Sequence, residues 1–227
     1  MEQFVQMHKR NGLFADLSDK VIAEEILPHG KFQDIPKGNN LISFQDRVDS
    51  FSVVMRGKFN ILHIYGNGDY GIMDVLEPGD LVGVDLMCTK SRISPYYAEA
   101  VQMSQVVTFP AEMILKPGML REEIRMLIYS KLVSFISDEN IRKEYRLAIL
   151  FQKSLRGRII TFLTMQANKR KSDTFSVPFT RDEMASYLCV NRTCLSHELS
   201  LMEQEGILKF HRNTFTLLHW DGKDIEY

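Results

Sequence analysis

The 227-residue chain is poor in cysteine, in long apolar runs and in any excess of charge, and each shortage removes a class of protein. Three cysteines (Cys88, Cys189 and Cys194) cannot all pair, and their spacing fits no C-x-x-C zinc or redox pattern. A disulfide scaffold is thereby excluded. No apolar run approaches the roughly 18–20 residues that span a bilayer, so no membrane partner is expected. The stretch from Met1 to Gln6 has neither the basic start nor the apolar core of a secretory signal, and the expectation is a reduced, cytoplasmic protein. A paired nucleophile and base, a Gly-rich phosphate loop and a metal-spaced cluster are missing too, so no enzyme is expected. Hydrophobic residues at 44% and charged residues at 25% are those of an ordinary globular chain with material for one or two domains.

The net charge of −1 hides an asymmetry. Residues 1–150 hold 17 basic and 20 acidic side chains, whereas residues 151–227 hold 11 and 9, and up to residue 215 the second segment stands at 10 against 6. A mildly basic end is compatible with nucleic-acid contact but does not establish it.

The first long region reads as strands. Turn chemistry recurs at Pro36-Lys37-Gly38, Arg56-Gly57-Lys58, Gly66-Asn67-Gly68 and Glu77-Pro78-Gly79-Asp80. Between these turns lie β-prone runs at 40–44, 51–55, 59–65, 71–76, 96–101 and 105–109, a spacing that predicts an antiparallel sandwich or barrel. Apolar residues at helical spacing over 13–27 predict a short helical cap. From Leu120 the period changes to that of a helix of about 25–30 residues, with Ile124, Leu127, Ile128, Leu132, Phe135 and Ile136 on one seam. Such a seam packs either on the chain's own sheet domain or on a second copy. The length favours a dimer helix built on Ile124, Leu127, Ile128, Leu132 and Phe135. Ser154 is placed to cap a further helix reaching Gln166, with Lys169-Arg170-Lys171 in the loop beyond.

Residues 180–218 carry the functional signal. Thr180-Arg181-Asp182-Glu183 is a capping box, followed by the short apolar face of Met184, Ala185 and Leu188. A break at Cys189-Val190-Asn191 then leads into a helix that buries Leu195, Leu199 and Met202 and stops before Gly206. Two helices so joined form a helix-turn-helix, and the opposite face of the second shows Arg192, Thr193, Ser196, His197 and Ser200, donors suited to phosphates and base edges. Thr180, Arg181 and Arg212 complete the expected DNA-facing set. Residues 207–210 and 214–218 alternate around His211-Arg212-Asn213 as a hairpin wing. Cys194, beside Leu195, is expected to be a structural thiol on the packing side.

These motifs give the chain a family likeness. Ile35-Pro36-Lys37-Gly38, the run 51–59, the run 76–83, Leu155-Arg156-Gly157-Arg158-Ile159 and the stretch 179–208 follow one another at family spacing, and the sequence resembles the Crp/Fnr transcription regulators over nearly its whole length. The resemblance implies an α+β protein with an N-terminal antiparallel β-roll of jelly-roll type at 1–119, a long dimerisation helix at 120–150 and a winged helix-turn-helix at 151–227. It implies a cytoplasmic homodimer on a palindromic double-stranded DNA promoter site, with RNA polymerase as a further partner. A small effector would bind near Gly83, Val84, Asp85, Leu86, Arg92, Tyr96, Tyr97 and Ile128.

Departures from the family narrow the effector. Cyclic-nucleotide binders follow the glycine at 83 with Glu and place an Arg-Ser pair about ten residues on, whereas this chain has Val84 and then Ser94-Pro95. A cyclic phosphate would lack its guanidinium, so cyclic AMP is not expected. The iron–sulfur branch needs clustered N-terminal thiolates, and the first cysteine is Cys88. An unidentified effector remains, with haem as the alternative, ligated by His8, His29, His63 or one of the 12 methionines in a gas or redox sensor. A ligand-binding protein without a DNA role ranks lower. In the reading helix Thr193 and His197 stand where many members carry Glu and Arg, which implies a different operator.

Overall fold

The structure is a computed structural model that describes residues 13–64 and 70–219. Its contacts divide the chain into two compact units, 1–140 and 141–227.

In the first unit the predicted helical cap is a broken one: α1 (Asp19–Val21), capped by Ser18, passes into a π-helical turn over Ile22–Ile26 and a 3-10 turn over Leu27–His29. Pro28 lacks the N–H a regular helix requires, which accounts for the tightened end. Strands β1 (Lys31–Ile35), β2 (Asn40–Ile42), β3 (Ser50–Arg56), β4 (Phe59–Ile64), β5 (Tyr70–Leu76), β6 (Leu81–Val82), β7 (Tyr97–Ala100) and β8 (Ser104–Pro110) form two antiparallel four-stranded sheets, ordered β1-β8-β3-β6 and β2-β7-β4-β5. The β4–β5 hairpin pairs Ile64 with Tyr70, and its predicted turn at 66–68 lies outside the described residues. Strand β1 went unpredicted because Lys31-Phe32-Gln33-Asp34-Ile35 is an edge strand with little burial. Two short helices, α2 (Val84–Met87) and α3 (Glu112–Leu115), follow β6 and β8.

Within sheet β1-β8-β3-β6, strand β3 is buried on both faces, which explains why it reads as an unbroken apolar run. Val54 and Val106 face the second sheet, joining Phe59, Ile61, Ala98 and Ala100. Phe51, Val53, Met55, Val107 and Phe109 face the other way, into a cluster with Phe14, Ile22, Ile26 and the long helix α4 (Glu122–Leu150). Phe51 and Phe109 stack there with centroids 5.4 Å apart, and Phe14 meets Phe109 edge-on at 5.8 Å.

That cluster takes three of the five residues expected at a dimer seam. Ile124, Ile128 and Leu132 are buried in the chain's own core, with Leu127, Phe135 and Ile136 packed beside them. Of the two partners the seam could have, its own sheet domain takes it. A different stripe of α4, with Met126, Tyr129 and Val133, stays exposed.

In the second unit, α5 (Leu155–Arg170) starts at Ser154, whose hydroxyl accepts from Gly157 N–H. It runs farther than predicted: Lys169 and Arg170 are helical, and Lys171 is the left-handed cap. Strand β9 (Thr174–Ser176), not foreseen, pairs with β11 (Thr214–Leu217), which also pairs with β10 (Leu208–His211). Helices α6 (Arg181–Tyr187) and α7 (Arg192–Gln204) lie between them in sequence. Ile159, Phe162, Leu163, Leu188, Leu195, Leu199, Met202 and Phe215 form the buried interior.

Candidate nucleic-acid interface

The geometry of the α6–α7 pair is fixed locally. The Thr180 hydroxyl accepts from Glu183 N–H at 3.2 Å while the Glu183 carboxylate accepts from Thr180 N–H at 2.7 Å, closing the predicted capping box. After α6 the chain turns in four residues, with Cys189 in the left-handed region at φ 54°. Asn191 Oδ1 then accepts from Cys194 N–H at 2.8 Å and starts α7. Gly206, at φ 72°, ends it in a conformation that disfavours any residue with a Cβ.

Leu195, Leu199 and Met202 are buried, and Arg192, Thr193, His197 and Ser200 are exposed with Ser196 half-buried between them. These five lie at i, i+1, i+4, i+5 and i+8, one face of a helix. The Ser200 hydroxyl donates to Ser196 C=O at 3.0 Å, leaving its oxygen as an acceptor. Cys194 is exposed rather than packed, because it stands a quarter-turn round from Leu195 on the open flank of the first turn.

Three candidates outside α7 have other partners. Arg181 Nη2 donates to Arg212 C=O at 2.8 Å, and its guanidinium lies 5.2 Å and 5.5 Å from the Phe210 and Phe215 ring centres. It is a strut between α6 and the wing, and burial, then the Arg192 charge, lowers its pKa. The Thr180 hydroxyl is engaged in the cap. Arg212, at φ 55°, is exposed at the wing tip, and together with Val177, Phe179, Thr180 and Asn213 it lines a cleft of about 350 Å³.

Four supporting side chains were not singled out from the sequence. Arg156 Nε donates to Glu198 at 2.6 Å, and its Nη1 and Nη2 grip Glu205 at 2.6 and 2.9 Å, tying α5 to the middle and the C-terminal end of α7. Arg158 Nη1 donates to Leu188 C=O at 3.1 Å and so satisfies the end of α6. The Arg146 guanidinium lies 4.5 Å from the Tyr187 ring centre. Asp182 Oδ2 accepts from Arg192 Nη1 at 3.3 Å. The available signal was the paired arginine spacing in Leu155-Arg156-Gly157-Arg158, whose partners lie about 30–50 residues away.

In the first unit the expected effector residues divide among separate contacts. Gly83, at φ 82°, caps α2, and a Cβ there would meet Ser50 C=O and Val48 at 3.2 Å. Val84 and Ile128 are buried in the cluster beneath α4, whereas Leu86 and Tyr96 belong to the cluster between the sheets. Tyr96 donates its hydroxyl to Asp85 at 2.9 Å, and burial, then Asp85, pushes the phenol pKa far up. Arg92 is already paired with Asp49 at 2.6 Å and holds that carboxyl below its usual range. Tyr97 stacks on Phe44 at 6.1 Å. An apolar Val84 turned into the core and a guanidinium committed to Asp49 do not fit a cyclic phosphate. Of the haem-ligand candidates, His8 lies outside the described residues, His29 ends the 3-10 turn and His63 is exposed on β4.

Comparison with known proteins bears on the whole arrangement. Residues 32–116 match the cyclic nucleotide-binding domain and residues 157–222 the Crp-like helix-turn-helix domain. The chain belongs to the Crp/Fnr family. Members of the family are DNA-binding transcription regulators, generally without enzymatic activity. The chain is similar to the transcriptional activator protein FnrA of Stutzerimonas stutzeri, 24% identical over 87% of this chain and 80% of that one. It is 23% identical to the anaerobic regulatory protein of Pasteurella multocida, covering 81% and 67%. In fold it resembles FixK2 from Bradyrhizobium japonicum (TM-score 0.64, 19% identity, 83% and 92% covered). It also resembles the c-di-GMP-responsive global regulator CLP of Xanthomonas campestris (TM-score 0.68, 14% identity, 87% and 98% covered). The Crp/Fnr architecture accounts for the antiparallel sheets, the long helix and the C-terminal helix-turn-helix. Among the described residues no helix is long and apolar enough to cross a membrane.

Proposed function

We propose that the chain is a cytoplasmic homodimeric regulator that reads a palindromic DNA site with α7, gated by a small effector other than cyclic AMP held in the β-roll. The observation that carries the reading is how the acids around α7 are disposed. Glu183 sits in the capping box, Glu198 and Glu205 are held by Arg156, Glu203 accepts from Phe210 N–H and Asp182 from Arg192. A segment of nearly balanced composition therefore turns a donor-rich face outward, with Arg192, Thr193, Ser196, His197 and Ser200 available to base edges. Arg212 at the wing tip meets phosphate.

Two copies join through the exposed stripe of α4, with Met126, Tyr129 and Val133 in place of the residues buried in the core. Ser130, Ser134 and Ser137 bond back to their own helix carbonyls, so that small side chains let a second helix approach closely. Dimerisation sets the half-sites about 34 Å apart, one duplex turn. Effector binding shifts the paired helices and so reorients the reading helices, which controls recruitment of RNA polymerase.

Selection of bound duplexes from a random pool, with and without candidate effectors, tests the proposal. A palindromic motif is expected, and it is lost in Arg192→Ala and Ser196→Ala proteins that remain folded dimers. Unchanged affinity of both variants for the selected site refutes the assignment of the reading face.

A further inference from the structure

We infer that Asp182 is a specificity-determining positioning residue, which clamps Arg192 so that this side chain reads guanine at one symmetric pair of operator positions. The inference rests on the proposed DNA-reading role of α7.

Asp182 is the second residue of α6, and Arg192 is the first of α7, ten residues on across the turn. Their side chains meet at 3.3 Å while remaining 68% and 64% exposed. An ion pair so wet contributes little to folding, so stability does not explain it. On a face that meets a polyanion, a carboxylate weakens every complex whatever the sequence. The other acids near α7 are turned to partners that hold the fold together, whereas Asp182 engages only the outermost cation of the reading face.

Chemistry supplies the reason. An unrestrained arginine swings between phosphates and bases, and phosphate contacts carry no sequence information. With Nη1 donating to Asp182, the guanidinium plane is fixed at one corner. Its Nε and Nη2 donors are not used by any described residue, and they form the parallel pair that matches O6 and N7 of guanine. The charge on Asp182 also offsets part of the attraction of Arg192 for phosphate. Nearby Arg181 cannot substitute, because its guanidinium is held by the Arg212 carbonyl and two phenylalanine rings. Removal of the Asp182 charge therefore raises affinity for DNA in general and lowers discrimination at one base pair, two effects of opposite sign.

The test is crosslinking and sequencing of DNA bound by the full chain in the cells that make it, where its effector is supplied, for wild type, Asp182→Asn, Asp182→Glu, Arg192→Ala and the Asp182→Asn/Arg192→Ala double variant. The wild-type motif should hold guanine at one symmetric pair. Asp182→Asn should reduce that preference about tenfold while increasing occupancy of unrelated DNA. Arg192→Ala should flatten the same pair, the double variant should go no further, and Asp182→Glu should restore part of the preference. An unchanged motif in Asp182→Asn overturns the inference. So does loss at a cytosine that persists without Arg192, which would make Asp182 itself the reader. A wild-type protein that enriches no motif at all overturns the DNA-reading role together with it.

Discussion

Replacement of Asn191 separates the two jobs its position performs. The Oδ1 atom accepts from Cys194 N–H at 2.8 Å, and in Asn191→Ala that donor and the first turn of α7 lose their cap. Such losses cost about 0.5–2 kcal/mol, typically about 1. For a unit the size of residues 141–227, 1 kcal/mol lowers the melting temperature by about 4–8 °C. Asn191→Asp keeps an equally good cap and adds a negative charge where the helix dipole favours one, for a gain of about 0.3–1 kcal/mol at low salt. If the start of α7 faces phosphate, that same charge opposes binding. Two like charges about 4 Å apart repel by about 1 kcal/mol even at the permittivity of water, so affinity should fall at least about fivefold per subunit. Thermal unfolding followed by circular dichroism, with anisotropy titration of a labelled operator at several salt concentrations, reads both quantities. Alanine should lower stability and affinity together, whereas aspartate should raise the first and lower the second. An Asn191→Asp protein that binds operator as tightly as wild type throughout the salt series would refute the placement of this helix end against the DNA backbone.

Neighbouring positions on α4 should respond in opposite ways: Leu132→Ala, at 2% exposure, costs about 2–5 kcal/mol of stability without dissociating the dimer, whereas Val133→Glu, at 56%, leaves the fold intact and gives monomers in sedimentation. Arg156→Gln frees Glu198 and Glu205, so operator affinity should drop while dimerisation is unaffected, as a gel shift and sedimentation will show. The phenol of Tyr96 is favoured in its protonated form in the fold, so its contribution is complete below the ordinary phenol pKa and is lost as pH rises past it. In an ultraviolet titration of the native protein, Tyr96→Phe should therefore remove no tyrosinate signal until alkaline unfolding begins.

Signals confined to a few residues were legible in the sequence. The Thr180–Glu183 box, the Asn191 and Ser154 caps and the stop at Gly206 each depend on neighbours within about four positions, and the helices begin and end accordingly. Strand β9 was not legible, because three residues of Thr-Phe-Ser carry almost no pattern until β11 pairs with them. The paired arginines of Leu155-Arg156-Gly157-Arg158 were visible as a motif, but the structural role of Arg156 was not, since its acceptors lie 42 and 49 residues away.

The seam of α4 shows where periodicity stops being informative. A repeat at helical spacing records that Ile124, Ile128 and Leu132 are withdrawn from water, and the gain on burial is the same whether a sheet or another helix does the covering. Choosing the partner requires knowing which other apolar surface goes uncovered. The inner cluster offers Phe51, Val53 and Phe109 on a sheet face that is covered by the N-terminal turns, the short helices α2 and α3 and by α4, so the stronger stripe of α4 belongs there. The weaker stripe, in which Met126, Tyr129 and Val133 alternate with serines, stays exposed and is the one the proposed dimer uses. An interface between copies is by this reasoning to be sought among the less conspicuous apolar residues of a long helix, because the most conspicuous ones have already been used to fold the monomer.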